Sequence, residues 1–235
     1  PTKMSFSVHS EASGLQYNAA SLDTLFCQRR NLVSPRFIGL VRDLFRFYRE
    51  APALLTSTGP GPTLGDWLAE RRYGTAFRDE HLVPMASALW SSPATQIQSF
   101  PARHLVQFMA NHQMLQAEQR PEWRVVRGGS ATYVRAMRRY WQVNERLNSP
   151  VRAVRRDDRG ATVASDDGVE RFDEVVLACH SDQALALLAD ASESERAILG
   201  AIPYQSNDVV LHTDATLLPR LPKAWAAWNA FVPRA

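Results

Sequence analysis

At 235 residues and 45% hydrophobic content, the chain is ordinary for a globular protein and ample for one large domain or two small ones; it has no secretory signal and no apolar run near the ~18 residues a membrane-spanning helix needs, so no integral membrane segment is expected. Its 27 basic and 24 acidic residues leave a net charge of +3, spread without a basic run or an aromatic RNA-binding pattern, so nucleic acid is not an expected partner. The two cysteines, Cys27 and Cys179, stand in no CxxC or metal spacing and point to reduced thiols in a cytoplasmic protein.

Met4-Ser5-Phe6-Ser7-Val8 alternates like a strand, and Gly14-Leu15-Gln16-Tyr17 reads as a second one after a polar turn. Ser21 to Phe26 starts a short helix. Ser34-Pro35 starts a longer one, serine as the cap and proline in the first turn. Phe37, Ile38, Val41, Leu44, Phe45 and Tyr48 follow at helical spacing to about Glu50, a stripe that fits a core better than the wall of a lipid-like pocket. In Gly59-Pro60-Gly61-Pro62, proline occupies the places where phosphate-cradling amides would be needed, and no Gly-x-Gly-x-x-Gly occurs elsewhere. Thr63-Leu64-Gly65-Asp66 opens the next helix, with Trp67 and Leu68 facing in. Pro84 inside the apolar 77–90 stretch predicts a kinked or broken helix. Pro101 opens a helix carrying Leu105, Val106, Phe108 and Met109. His104 and His112 fall on one face of it, but no carboxylate or cysteine completes a metal site.

Trp123-Arg124-Val125-Val126 reads as a strand, and Gly128-Gly129-Ser130 as the start of a helix; paired glycines permit close backbone approach, for packing or for a ligand. Val151 and Val154 frame a strand, and Thr162-Val163 a second across an Asp/Gly turn. Val175-Val176-Leu177-Ala178 is an unbroken apolar run, as expected of a strand buried on both faces of a parallel sheet; the helical Gln183–Leu188 follows. That succession describes part of a doubly wound α/β domain, whose ligands bind beyond the carboxyl ends of the strands, here at Ala178-Cys179-His180. Cys179 reads as a small buried filler. His180 reads either as a helix-starting residue in water or as a titratable group at the ligand edge. Ser192 to Glu195 has the form of a capping box opening a helix that closes at Gly200. Asp208–Thr213 and Ala224–Phe231 are predicted strands, paired across a proline-containing loop. Trp90, Trp225 and Trp228 are candidate pocket aromatics, although large aromatics at such spacings are more often core.

Several of these stretches resemble the flavin-containing amine oxidases and their relatives, the phytoene desaturases and protoporphyrinogen oxidases. Pro150-Val151 matches the segment whose valine backbone meets the adenine, and Phe172 to His180 matches the strand ending close to the cofactor. The whole chain looks closer still to a bacterial branch of NAD/FAD-binding, amine-oxidase-like proteins. The signatures of that branch stand here as Met4-Ser5-Phe6-Ser7-Val8, Gln28-Arg29-Arg30-Asn31-Leu32, Leu82 to Ser91, Trp123 to Ser130, and Leu211-His212-Thr213-Asp214.

The resemblance implies an α+β / α/β fold: a substrate-binding domain of mixed sheet plus helices from residues 1–125 and 203–235, with residues 126–202 as the second part of a Rossmann-like FAD-binding domain. It implies FAD contacts from Gly128, Gly129, Pro150, Val151, Ala178, Cys179 and His180, and a small-molecule pocket taking in Trp90, Asn207 and Trp228. The relatives carry the glycine-rich phosphate fingerprint ahead of the point where this chain begins, and another cofactor segment after the point where it ends. The chain therefore reads as an internal fragment of an FAD-dependent oxidoreductase, with FAD held by the full-length protein and not retained by the fragment. Amine oxidases of this kind place a lysine just before the strand that follows the cofactor half-domain. Here that stretch is Ser206-Asn207-Asp208, and the lysines are Lys3 and Lys223. A small amine or an apolar, lipid-like substrate fits equally. The alternative is a non-enzymatic ligand-binding or interaction module on the same fold. Nothing in the sequence assigns a catalytic residue, a metal or an oligomeric state.

Overall fold

The computed structural model describes residues 1–56, 58–117 and 121–234. The chain divides into two compact units, Pro1–Ser130 with Leu211–Ala235, and Ala131–Val210.

The first unit is built on a three-stranded sheet ordered β2-β1-β6, from Phe6–Ser10 (β1), Gln16–Asn18 (β2) and Trp228–Val232 (β6). β2 returns antiparallel to β1, whereas β6 lies parallel to it with Val8 opposite Ala230. Alternation gives the sheet two characters. Phe6, Val8 and Tyr17 are buried in the hydrophobic core; Ser7, Gln16 and Asn18 point to the other side and are buried as well. That second face is covered by the 217–226 segment. Gln16 Oε1 accepts from the Leu221 amide at 3.0 Å, Asn18 Nδ2 donates to the Trp225 carbonyl at 2.6 Å, and Trp225 Nε1 donates to the Pro219 carbonyl at 2.7 Å.

Helices pack on the apolar face. α1 (Leu22–Leu25) is opened by a reciprocal Ser21–Thr24 capping box, and α2 (Pro35–Glu50) by Ser34, whose hydroxyl accepts from the Phe37 amide. α2 buries Phe37, Leu40, Leu44 and Phe47, while Ile38 and Phe45 of the expected stripe are about half exposed, because they lie on its outer flank. Phe47 meets Trp67 edge-on at 5.8 Å and Phe77 at 5.7 Å. These rings come from α3 (Leu64–Glu70) and α4 (Thr75–Phe77). The interruption predicted around Pro84 takes the form of a π-turn, Arg78–Leu82, leading into α5 (Val83–Trp90). Pro84 has no N–H to bond the carbonyl of residue 80, so the Glu80 carbonyl is free to accept from the Tyr17 hydroxyl at 2.8 Å. α6 (Ala94–Ser99) and α7 (Ala102–Asn111) complete the layer.

The second unit opens with α8 (Ala131–Arg138). It continues through an antiparallel meander of β3 (Val151–Asp157), β4 (Gly160–Ser165) and β5 (Gly168–Phe172), then α9 (Ser181–Leu187) and α10 (Glu193–Gly200). Its buried hydrophobic residues are Val154, Ala161 and Ala184.

Three expected strands are absent. Residues 175–178 are irregular and Val176 is 88% exposed, because no described strand pairs with the run; the parallel contact in this region is instead a single bridge between Val154 and Leu188. Residues 208–213 are likewise irregular, and Val209 and Leu211 are exposed. β6 pairs with β1 and not with 208–213, and the bonds that Gln16 accepts from Leu221 and Asn18 donates to Trp225 hold the intervening loop across the sheet. Trp123 makes only an isolated bridge to Thr2, so 123–126 is not a strand.

Candidate functional site

A cavity of about 610 Å³ opens in the first unit, within the range of roughly 300–1,000 Å³ usual for small-molecule sites. Its wall combines the aromatic side chains of Tyr48, Trp123, Trp225 and Trp228 with Phe6 and Met85; His81 and His112 also line it, and Lys3 and Glu122 supply charge. The aromatic lining suits an apolar body, and the histidines and charges offer orientation.

His81 is held from behind. It is 4% exposed, stacked on Phe77 at 5.8 Å, and its Nδ1 lies 2.7 Å from the Tyr17 hydroxyl. Tyr17 has one proton to give and gives it to the Glu80 carbonyl. The short Nδ1 contact is then satisfied when the ring nitrogen is the donor, which assigns the proton to Nδ1. Burial, and then the nearby Glu80 charge, push the Tyr17 phenol well above its ordinary pKa, so it stays protonated. His112 stacks between Phe108 at 4.1 Å and Trp123 at 6.3 Å, an aromatic setting with no carboxylate partner among the described residues. Among the described residues no group of His, Cys, Asp or Glu could hold a metal ion.

Of the three expected substrate residues, Trp228 lines this cavity. Trp90 packs elsewhere in the first unit, against Phe108 at 4.8 Å and Phe100 at 5.7 Å, and Asn207 is exposed in an irregular segment of the second unit. Tyr17, His81, Trp123 and Met85 were not singled out in the sequence as site residues, and Tyr48 belongs to the α2 stripe read as core in preference to a pocket wall. One signal was present for His81: it ends the polar run Arg78-Asp79-Glu80-His81, directly ahead of the apolar, proline-containing stretch 82–90.

The expected cofactor residues divide between the units. Gly128 and Gly129 close the first, both left-handed at φ +78° and +82°, and a Cβ on Gly129 would meet nothing within 4 Å. In the second unit, Pro150 and Val151 begin β3 at an exposed edge. Ala178, Cys179 and His180 are exposed ahead of α9, so Cys179 is not the buried filler the apolar run suggested. His180 caps α9 and stacks on Tyr204 at 4.6 Å.

The model of the family described as flavin containing amine oxidoreductase matches residues 59–222, more than half the chain. The chain belongs to this family. Among solved structures, two forms of a putrescine oxidase redesigned in its cofactor binding share the fold: the triple mutant at TM-score 0.57 and the double mutant at 0.56, each 18% identical to this chain. Each match covers 85% of this chain and 45% of the other, so the chain spans less than half the length of these putrescine oxidases. No curated protein matches the sequence. Members of the amine oxidoreductase family are flavin-containing, which fixes the cofactor class against which the site is read. No helix among the described residues is long and apolar enough to cross a membrane.

Proposed function

We propose that this chain supplies the substrate-binding region and part of the FAD-binding domain of an oxidoreductase that acts on a small amine or an apolar molecule. Residues 1–125 and 203–235 take the substrate role and 126–202 the cofactor role. The observation that carries the reading is the aromatic-walled cavity, in a chain of a flavin-containing family. The left-handed backbone of Gly128-Gly129, the exposed start of β3 at Pro150-Val151 and the exposed segment Ala178–His180 suit backbone contacts, while no glycine-rich turn is present to cradle a pyrophosphate. This chain therefore contributes contacts to FAD without a complete site, and alone it binds FAD weakly or not at all. When bound, the isoalloxazine supplies the redox chemistry. The chain's part is to bind and orient: Trp225 and Trp228 enclose the apolar body of the substrate, and the Tyr17-held His81 presents a fixed tautomer at the wall.

The test is the visible spectrum of the intact protein. A flavin band is expected, bleached without oxygen by one class in a panel of primary amines and apolar alicyclic compounds. A protein that is colourless and stays so with added FAD would sink the proposal in favour of a ligand-binding module. Trp228→Ala should raise KM about tenfold, roughly 1.4 kcal/mol, with kcat largely kept.

A further inference from the structure

A second, smaller cavity of about 280 Å³ lies in the first unit, lined by Ser13 and Leu15 of the β1–β2 turn, Arg30, Ser34 and Arg36 around the start of α2, and Glu80 of the π-turn. It is distinct from the aromatic cavity, with which it shares no lining residue. Glu80 is 3% exposed and doubly tied: Oε2 accepts from Arg36 Nη2 at 2.7 Å, and Oε1 accepts from the Ser13 hydroxyl. Glu80 thus fixes one arginine and cancels one positive charge. The second arginine, Arg30, donates from Nη2 to the Gly14 carbonyl at 3.1 Å and makes no ion pair among the described residues. Each guanidinium carries five N–H groups, so both retain donors. The Ser34 hydroxyl accepts from the Phe37 amide and keeps its own proton to give. Donors and one net positive charge therefore belong to the lining. Leu15, Phe37, Leu40 and Ala76 supply its apolar part.

The geometry points to a binding site for a small organic carboxylate, its oxygens on Arg30 and Arg36 and a short apolar chain against Leu15, Phe37 and Leu40. Planar carboxylates match the guanidinium fork, and an apolar wall adds affinity for each buried methylene. The site stands on this cavity alone and is independent of the redox assignment.

Titration calorimetry of the intact protein at low ionic strength tests it with three probes: hexanoate, acetate and inorganic phosphate. Hexanoate should bind saturably and at least tenfold more tightly than acetate. Arg30→Gln, at an exposed residue with one hydrogen bond, should weaken hexanoate about tenfold, and Arg36→Gln should do so more strongly. Arg42→Gln, on the outer face of α2 with a side chain 78% exposed, should leave it unchanged. Equal affinity for acetate and hexanoate, tighter binding of phosphate, heat matched by chloride alone, or Arg30→Gln binding like the unmodified protein would each overturn the assignment. Arg36→Gln also breaks the pair with Glu80, so the Arg30 variant keeps the test decisive should that protein fail to fold.

Discussion

Tyr17 shows how one side chain ties sequence to site. Its alternation with Gln16 and Asn18 places it on the core face of β2, where it is fully buried. Its hydroxyl meets a carbonyl that only the proline four residues later leaves available, and beside that carbonyl it orients His81 at the cavity wall. Tyr17→Phe removes the partner of two buried groups at once. It should cost about 1–3 kcal/mol by denaturant unfolding; a cost below about 0.5 kcal/mol would mean the contact stabilises nothing. The pattern of residues 4–17 announced two strands, and Pro84 announced a break. That the break would free one carbonyl for one phenol depends on how separate elements pack, which periodicity does not encode. For the same reason, of the tryptophans weighed for the pocket, Trp225 and Trp228 reach the cavity and Trp90 does not, although all three are alike in composition.

At the level of elements, helix starts were legible because their signal is local. Ser34-Pro35, Thr63 and the Ser192–Glu195 box each cap the helix expected of them. Strands were less legible, because a strand exists only with a partner, and the apolar runs at 175–178 and 208–213 have none among the described residues. The β3–β5 meander has its own local reasons. Gly160 turns into β4 at φ +136°, and a Cβ there would lie 2.3 Å from the Phe172 carbonyl oxygen. Gly160→Ala should therefore destabilise the meander by about 2 kcal/mol or more. Gly168→Ala, at a similar φ but with nothing within 4 Å, should cost less; amide-exchange protection of the β3–β5 peptides ranks the two, and equal losses would refute the steric argument. The meander also depends on pH. Arg171 pulls Asp157 down to about 2, and Arg156 pulls Glu195 down to about 2. Both folded values lie below the ordinary carboxylate range, so this stabilisation is full above roughly pH 5 and fades as pH falls toward about 2. The same peptides should lose protection over that window, less steeply in Glu195→Gln. Because these pairs are exposed, about 0.5 M salt should flatten the effect.

For the molecule as a whole, the unpaired runs carry a physical consequence. Val176, Val209 and Leu211 are 88%, 89% and 102% exposed, and Val125, Ile198 and Ile202 also face solvent. Soluble proteins seldom leave contiguous apolar surface open unless something covers it. We propose that further chain covers them: the putrescine oxidases with this fold are more than twice as long as the matched part, and a strand-forming run is covered when its ladder partner is present. Prepared by itself, the 235-residue chain should bind the dye ANS with a several-fold rise in fluorescence and self-associate as its concentration increases, whereas the intact protein should do neither. Val176→Lys with Val209→Lys should lower both signals in the isolated chain without altering the protection of β3–β5. An isolated chain that stays monomeric and leaves the dye dark would show that the apolar runs are closed over in solution, and the structural reason for their irregularity would fall with that result.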